Sequence, residues 1–149
     1  MRLWRISNFA NLSGEGGLRA SGRWHSRGRR VVYLSDHPAS ALVEVLVHLE
    51  VDIEDIPASY QPLAVDFPDG LTVESIAKDV LAADWRTKIL ATRTLGDRWL
   101  NAGNAALMRV PSAIVPYASN WLLNPAHGDA AKAVIAETIR TPFDARLFW

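Results

Sequence analysis

One acidic residue, Glu44, lies in a run of residues that would otherwise suit a protein interior. Residues 41–49 read ALVEVLVHL, and a helix with this sequence is apolar on nearly every face. Holding an ionised carboxylate in such surroundings costs several kcal/mol unless another group pairs with it. We therefore expect Glu44 to be at least partly buried and paired, either in a functional site or in a structural ion pair.

Five arginines just upstream are candidates to pair with that carboxylate. They lie within twelve residues that contain no acidic residue, at Arg19, Arg23, Arg27, Arg29 and Arg30. Guanidinium groups beside the free N–H donors of a glycine-rich loop suit phosphate or carboxylate recognition, although composition alone fits a solvated basic loop equally well. Arg23 differs from the others because it stands between Gly22 and Trp24, where an apolar wall can hold its guanidinium group.

Three further polar residues have types that suit a binding site. Tyr33 lies in an apolar run, where core packing is the simpler interpretation of its ring. Ser112 lacks the G-x-S-x-G pattern of a nucleophilic serine, so we interpret it and Asn120 as hydrogen-bond donors to a ligand. His48 shares a helix face with Glu44, but these two residues without a third ligand nearby are weak support for a metal, and no metal site is predicted.

The elements that must position these residues mix strands and helices without a repeating β-α-β order. Strands are predicted at residues 3–6, 31–35, 60–67, 107–110 and 113–115. Helices are predicted from the cap at residues 36–38 to about residue 50, and from a capping sequence that begins at Thr94. Residues 11–22 and 117–129 are predicted loops, while 71–83 and 134–139 fit either a strand or a helix. This order favours an α+β domain over a doubly wound sheet.

Length and composition indicate one globular domain. Of 149 residues, 49% are hydrophobic and 21% charged, with zero net charge, so only the arginine cluster argues for nucleic acid. The absence of cysteine excludes disulfides and thiolate metal sites. The sequence shows neither a signal peptide nor an apolar run of about 18 residues, so we expect a cytoplasmic protein with no membrane partner.

Taken in order, these residues resemble the RES-domain family, the toxins of RES–Xre toxin–antitoxin modules. The resemblance covers nearly the whole chain, so residues 1–149 are interpreted as a single RES domain. Eight segments carry it: WRI at 4–6, LSGEGG at 12–17, GRWH at 22–25, VY at 32–33, LVEVLVHL at 42–49, LGDRWL at 95–100, VPS at 110–112 and NWLLNPAH at 120–127. No single segment is decisive, but this many in one order are specific.

The resemblance implies a compact fold like that of ADP-ribosyltransferases, in which small mixed sheets and packed helices form an NAD cleft. It implies that NAD is the substrate, with no prosthetic group, and that the nicotinamide–ribose bond is cleaved by hydrolysis or phosphorolysis. The principal active-site residues implied are Arg23, Tyr33 and Glu44. The further pocket residues are Arg5, Gly22, Trp24, Ser112 and Asn120.

The chemistry of that bond agrees with these roles. Nicotinamide leaves as a neutral molecule from a cation, so the enzyme must chiefly stabilise an oxocarbenium-like ribose. A carboxylate facing the ribose does this, which suits Glu44, and it would also orient the attacking water or phosphate. Arg23 would anchor a phosphate group, Tyr33 would pack against nicotinamide, and Arg5 would add positive charge.

The resemblance also implies a protein partner, because unrestrained loss of NAD would stop growth. That partner is an Xre-type antitoxin whose C-terminal segment blocks the cleft, and a toxin homodimer within such a complex fits the same resemblance. A protein ADP-ribosyltransferase remains an alternative, since it would use the same pocket, but it needs an acceptor-binding loop that the sequence does not identify. A nucleic-acid-binding module is a second alternative, and a neutral chain without a recognition motif does not favour it.

Overall fold

A computed structural model describes residues 1–148 of the chain, with the backbone alone at Lys78, and Trp149 lies outside the described residues. This part of the chain contains the strands β1 (Arg2–Ile6), β2 (Val32–Ser35), β3 (Ser59–Tyr60), β4 (Pro62–Asp66), β5 (Val73–Ser75), β6 (Leu107–Pro111), β7 (Ser119–Leu123), β8 (Val134–Thr138) and β9 (Thr141–Pro142). Its α-helices are α1 (Gly16–Arg19), α2 (Pro38–His48) and α3 (Ile89–Ala102). Short 3-10 segments lie at Ile53–Asp55, Lys78–Val80, Trp85–Thr87, Gly128–Lys132 and Ala145–Phe148.

Seven of these strands form one mixed sheet in the order β5-β6-β7-β2-β1-β4-β8, and β3 pairs separately with β9. The β5–β6 pair is parallel, and the other pairs of described strands are antiparallel. Helices do not alternate with strands in a β-α-β order, so the predicted α+β class is confirmed. In the described part of the chain, no helix is both long and apolar enough to span a membrane.

The sheet carries one apolar core on each face. Along β6 and β7, Leu107 and Leu123 pack into the first core, whereas Met108 and Leu122 pack into the second. All four side chains are buried, as the period of two along a strand requires when both faces are covered. The second core also contains three tryptophans, Trp24, Trp85 and Trp99.

The polar residues of β2 lie on the face of the sheet that carries the second core. Val32 and Leu34 belong to the first core, so Tyr33 and Ser35 project from the opposite face. Helix α2 packs on β1 and β2. This arrangement brings the predicted site residues of β2 and α2 together.

Helix α2 begins and ends close to the predicted residues. Its N-cap is His37 rather than Asp36, because the His37 Nδ1 accepts the N–H of Ala39 at 3.1 Å. Pro38 occupies the first turn, where its missing N–H has no cost. The last residue, His48, is exposed, and its Nδ1 lies 2.7 Å from the Glu44 carbonyl oxygen, so it bonds within its own helix.

Two predictions around residues 113–129 are wrong. Residues 113–115 form no strand, because the N–H groups of Ile114 and Val115 donate to the Ser112 hydroxyl instead of to a neighbouring strand. The predicted loop at 117–129 contains β7, a central strand that pairs with β6 and β2. The strand begins with the polar residues Ser119 and Asn120, so only Trp121, Leu122 and Leu123 gave it a strand signal.

Other boundaries also differ from the prediction. Helix α3 begins five residues before Thr94, whose hydroxyl bonds to the Leu90 carbonyl inside the helix and caps nothing. The predicted loop at 11–22 contains the short helix α1. Of the two ambiguous segments, 71–83 contains β5 and a 3-10 turn, and 134–139 contains β8.

Candidate active site

The Glu44 side chain is half-buried, and two neutral donors hold one of its carboxylate oxygens. The Asn120 amide donates from Nδ2 to Oε1 at 2.7 Å, and the Ser112 hydroxyl donates to the same oxygen at 3.2 Å. Ser35 lies opposite Asn120 in the β2–β7 pair and donates to its Oδ1 at 3.1 Å. That bond fixes the orientation of the amide, so Nδ2 must face Glu44.

Ser112 supports the carboxylate from behind. Its side chain is buried, and its Oγ accepts the N–H groups of Ile114 and Val115 at 3.2 and 3.0 Å. Two donors therefore occupy the lone pairs of this oxygen, and its own proton is directed to Glu44. The structure places Ser112 as a fixed donor to Glu44, outside the lining of the cleft described below.

The other carboxylate oxygen of Glu44, Oε2, accepts no hydrogen bond from residues 1–148. The upstream arginines predicted as its partners do not pair with it in the described structure, so that part of the prediction is wrong. Arg29 pairs with Asp97 at 3.1 Å and Arg30 with Glu15 at 3.8 Å instead. The carboxylate is thus held through one oxygen and open to a ligand through the other.

A cleft of about 630 Å³ adjoins Glu44. Its walls come from β1, the segment around α1, β2, α2 and the first part of α3. Small-molecule sites typically have volumes of about 300–1,000 Å³. Among the described residues that line it, Glu44 is the one acid, against the three arginines Arg5, Arg23 and Arg93. This balance suits an anionic ligand that also carries hydroxyl groups.

Arg23 is held against an apolar wall, as predicted, but the wall is Trp85. The guanidinium carbon of Arg23 lies 5.8 Å from the centroid of the Trp85 ring, and Nη1 donates to the Arg86 carbonyl at 2.9 Å. Trp24 packs behind, with its ring centroid 5.9 Å from that of Trp85 and only 2% of its surface exposed. Trp24 therefore supports the wall of the cleft from the core.

Tyr33 presents its ring to the cleft while its hydroxyl is engaged elsewhere. The hydroxyl oxygen accepts the backbone N–H of Trp24 at 3.1 Å and lies 2.8 Å from Nδ1 of His25. Burial raises the pKa of the Tyr33 phenol above its ordinary value, so the group is neutral at physiological pH.

Gly22 allows the Tyr33 hydroxyl and the His25 ring to lie close to the backbone of the loop. A Cβ at this position would stand 2.6 Å from the Tyr33 hydroxyl and 2.9 Å from the His25 ring, so any larger residue would push them apart. The Gly22 carbonyl accepts a hydrogen bond from Nε of Arg93 at 2.7 Å. The Gly22 backbone thus links α3 to the loop that carries Arg23.

Arg5 is the third cation of the cleft. Its Nη1 donates to the Asn11 carbonyl at 3.1 Å, and it forms no ion pair in the described part of the chain. Burial lowers the pKa of its guanidinium group, which nonetheless stays protonated at neutral pH. An unpaired, partly buried guanidinium is stabilised by an anionic ligand.

Sequence reasoning missed two residues of this cleft, Arg93 and His25. The helix start predicted at Thr94 left Arg93 outside the helix, and 71 residues separate it from Gly22 along the chain. His25 belongs to the segment GRWH at 22–25, and sequence reasoning assigned it no role in the site. In the structure, however, its ring contacts the Tyr33 hydroxyl directly. Within residues 1–148, no three side chains among His, Asp and Glu are grouped so that they could hold a metal ion.

Comparisons with known proteins found similar sequences. The sequence matches the RES domain over residues 2–144. It is 49% identical over 148 residues to "Toxin Res" of Pseudomonas putida, covering 99% of this chain and 100% of the relative. It is 32% identical over 147 residues to "Prs ADP-ribosylating toxin" of a Sphingobium species, covering 92% and 89%.

A solved structure shares the fold. A chain of the M. tuberculosis MbcT–MbcA toxin–antitoxin complex superposes with a TM-score of 0.72 and 16% identity, covering 95% of this chain and 84% of that chain. At that identity the likeness concerns the fold alone. It confirms the predicted ADP-ribosyltransferase-like fold.

Proposed function

The chain belongs to the RES-domain family, and we propose that it is the toxin of a toxin–antitoxin pair that cleaves NAD between nicotinamide and ribose. The observation that carries this proposal is the Glu44 carboxylate, fixed through Oε1 and open to the cleft through Oε2. Membership of the family and the curated toxins that resemble the chain support the biological role.

In the proposed reaction the bond between C1′ and the nicotinamide nitrogen breaks, and its electron pair leaves with nicotinamide, which becomes neutral. Positive charge develops on C1′ and the ring oxygen of the ribose. The Glu44 carboxylate would stabilise that charge and accept a hydrogen bond from a ribose hydroxyl at Oε2. Because Asn120 and Ser112 already hold Oε1, the carboxylate is ordered before the substrate arrives.

The charge balance of the cleft supports a dinucleotide as the ligand. Three arginines against one carboxylate leave two positive charges among the described lining residues, and the pyrophosphate of NAD carries two negative charges. Arg23 donates to the Arg86 carbonyl and Arg93 donates to the Gly22 carbonyl, so the backbone of another segment holds each guanidinium group in place. Their remaining guanidinium N–H groups would hold the phosphate oxygens.

The Tyr33 ring would supply the nicotinamide wall of the site. It lines the cleft on the same sheet face as Asn120 and Ser35, which orient Glu44. An aromatic face against the nicotinamide ring would place C1′ of the ribose near the carboxylate. Arg5, on the neighbouring strand β1, would add charge at the far side of the cleft.

The acceptor for the ribosyl group would be water or inorganic phosphate. An acceptor oxygen forms the new bond to C1′ as nicotinamide departs, and its proton passes to the solvent. Transfer to a protein is a second candidate, which one observation favours: a relative 32% identical over 147 residues is named as an ADP-ribosylating toxin. NAD would be the substrate in either case, with no prosthetic group.

An antitoxin is proposed as the partner of this chain. The solved structure that shares its fold comes from a toxin–antitoxin complex. We propose an Xre-type antitoxin that occludes the cleft, in an assembly that can also bring two toxin chains together. The cytoplasm, where NAD is abundant, is the proposed location.

Binding to nucleic acid is poorly supported by the arginine cluster. Arg29 and Arg30 already pair with Asp97 and Glu15, so the cluster forms no continuous basic face. Arg23 is directed to the cleft. Salt-dependent binding of DNA or RNA without any NAD turnover would favour this alternative.

The decisive experiment measures NAD loss by the antitoxin-free protein and by Glu44→Gln. Glutamine retains a carbonyl oxygen for Asn120 and Ser112 but removes the charge, so the fold should persist while turnover falls by about 100-fold or more. Glu50→Gln, which changes an exposed residue just beyond the same helix, is the matched control and should keep full activity.

The products then identify the acceptor. Release of ADP-ribose indicates water, a phosphate-dependent rate with ADP-ribose 1″-phosphate indicates phosphorolysis, and labelled protein indicates ADP-ribosylation. Folded, partner-free protein that neither consumes NAD nor labels any protein would contradict the proposed function.

A further inference from the structure

His25 is a buried histidine of the cleft wall whose two ring nitrogens are both engaged. Only 4% of its surface is exposed. Nε2 lies 2.9 Å from the Ala20 carbonyl oxygen, and Nδ1 lies 2.8 Å from the Tyr33 hydroxyl. The two rings are 5.6 Å apart between centroids and tilted by 54°.

These partners determine which nitrogen carries the proton. A backbone carbonyl only accepts, so Nε2 must be the protonated nitrogen. Burial lowers the pKa of His25, and the ring is therefore neutral at physiological pH. In the neutral ring Nδ1 is then an acceptor, and the Tyr33 hydroxyl must donate to it.

Both the proton and the oxygen of the Tyr33 hydroxyl are consequently engaged in hydrogen bonds. It donates to Nδ1 of His25 and accepts the N–H of Trp24, so its proton is not free for a ligand in the cleft. Gly22 allows this close approach, since a Cβ there would meet the Tyr33 hydroxyl and the His25 ring. Tyr33 thus acts through its ring, and the orientation of that ring depends on His25.

We infer that His25 is the positioning residue of this site: as the neutral Nε2–H tautomer, it fixes the Tyr33 ring in the orientation that receives the leaving group. The inference rests on the proposed function only for the identity of that leaving group. Protonation of Nδ1 would remove the acceptor of the Tyr33 proton. The hydroxyl would then accept from both Trp24 and His25 and would have to turn its own proton to a new acceptor, which changes the orientation of the ring.

Charged groups around His25 bear on that protonation in opposite directions. Asp97 and Arg93, both on α3, favour and oppose the charged imidazole respectively, and Tyr33 on β2 contacts it directly. The Asp97 carboxylate is already engaged by Ser26 and Arg29.

The test compares the wild type with His25→Asn and His25→Ala across pH 5 to 8. In His25→Asn, the side-chain Oδ1 takes the place of Nδ1 as acceptor and does not titrate. We expect this variant to keep kcat at pH 8 within about threefold of the wild type, while His25→Ala loses about 10- to 100-fold because the Tyr33 ring is no longer fixed. The wild-type kcat should fall on the acid side, and that fall should be absent in His25→Asn.

Two kinetic results would overturn the inference. The first is an acid limb of the kcat profile that is unchanged in His25→Asn, and the second is a folded His25→Ala with wild-type kcat. Histidine 15N shifts at pH 8 test the inference separately from activity: the Nε2–H tautomer supports it, and the Nδ1–H tautomer contradicts it even if NAD proves not to be the substrate.

Discussion

Arg93 and Arg23 are both held by backbone carbonyls rather than by acids. Arg93 uses Nε on the Gly22 carbonyl, and Arg23 uses Nη1 on the Arg86 carbonyl. A guanidinium group has five N–H donors, so each side chain keeps donors for a ligand. A carbonyl also leaves the full positive charge uncompensated, which an ion pair would not. These two residues are therefore fixed in direction and still attractive to phosphate.

Arg93→Ala should impair turnover of NAD much more than turnover of nicotinamide riboside. The riboside carries the same scissile bond without the pyrophosphate, so it cannot use a phosphate anchor. A charge-assisted hydrogen bond contributes about 1.5–3 kcal/mol, so we expect KM for NAD to rise about 10- to 100-fold while KM for the riboside changes less than about threefold.

The two-substrate comparison separates binding from structure. Loss of the Arg93–Gly22 hydrogen bond would affect both substrates equally, so an equal loss on both would show that Arg93 only supports the loop. Arg98→Ala, which removes an exposed arginine of the same helix, is the control and should leave both KM values unchanged.

At the scale of residues, the sequence predicted that Glu44 requires a partner, but it did not identify the side chains that donate hydrogen bonds to it. An acid within an apolar run requires a partner, and this requirement is local information. Its donors, Ser112 and Asn120, are 68 and 76 residues away and reach it only because β7 pairs with β2. The nearby arginines were the obvious candidates, but distance along the chain does not measure distance in the fold.

At the scale of elements, the Asp97 carboxylate is one of the groups that attach α3 to the loop after Gly22, beside the Thr92 hydroxyl, which donates to the Arg23 carbonyl at 2.6 Å. Asp97 accepts the Ser26 N–H at 2.9 Å and the Ser26 hydroxyl at 2.6 Å, and it pairs with Arg29. Gly96 lets the helix approach, because a Cβ there would overlap the Trp24 carbonyl oxygen. This contact holds the loop that carries Arg23 and His25 against α3.

Asp97→Asn should destabilise the protein in a pH-dependent way. Burial acts to raise the pKa of Asp97, but the hydrogen bonds from Ser26 and the charge of Arg29 outweigh it, and the pKa lies below its ordinary value of 3.8. A lowered carboxyl pKa stabilises the folded state fully above the unfolded-state pKa and progressively less as pH falls through the folded-state pKa.

We therefore expect wild type to exceed Asp97→Asn by about 1–3 kcal/mol in free energy of unfolding at pH 7. The difference should be constant down to about pH 5 and shrink below about pH 4. Urea unfolding at several pH values measures it. Asp84→Asn removes an exposed pair with Lys88 and should change stability by less than about 1 kcal/mol. A difference that persists unchanged at pH 2 would contradict this role of Asp97.

Elements with a local signal were predicted and those defined by long-range pairing were not. The sequence located β1, β2, β4 and α2 because apolar periodicity, a proline at the helix start and turn residues all act locally. β7 was missed because its polar residues serve the site and its pairing with β2 and β6 is not encoded nearby. The start of α3 was misplaced because Thr94 carries a capping sequence inside an existing helix.

At the scale of the whole molecule, the cleft joins parts of the chain that are far apart in sequence. Its lining extends from Trp4 on β1 to Asn120 on β7 and includes residues of α2 and α3. The lining residues Tyr33, Ser35 and Asn120 lie on one face of the sheet, which is the face of the second core. A ligand that contacts the carboxylate of α2 and the arginine of α3 would therefore connect elements that otherwise meet mainly through the sheet and one loop.

NAD should consequently stabilise the whole fold when it cannot be cleaved. Glu44→Gln retains the hydrogen bonds to Asn120 and Ser112 and should turn over NAD about 100-fold or more slowly, so it is the suitable protein for this measurement. A ligand at 100 times its Kd adds about 2.7 kcal/mol to the free energy of unfolding, which corresponds to a Tm increase of about 5–10 °C in a chain of this size.

The pattern of Tm shifts among ligands distinguishes the candidate functions. ADP-ribose should give a large part of the NAD shift because it retains the pyrophosphate, whereas nicotinamide alone should give little. The additional substitution Arg93→Ala should reduce the shift from both dinucleotide ligands. A short DNA or RNA duplex should give no Tm shift at physiological salt. A shift from nucleic acid without one from NAD would contradict the proposed function and favour binding of nucleic acid by the arginine-rich loop.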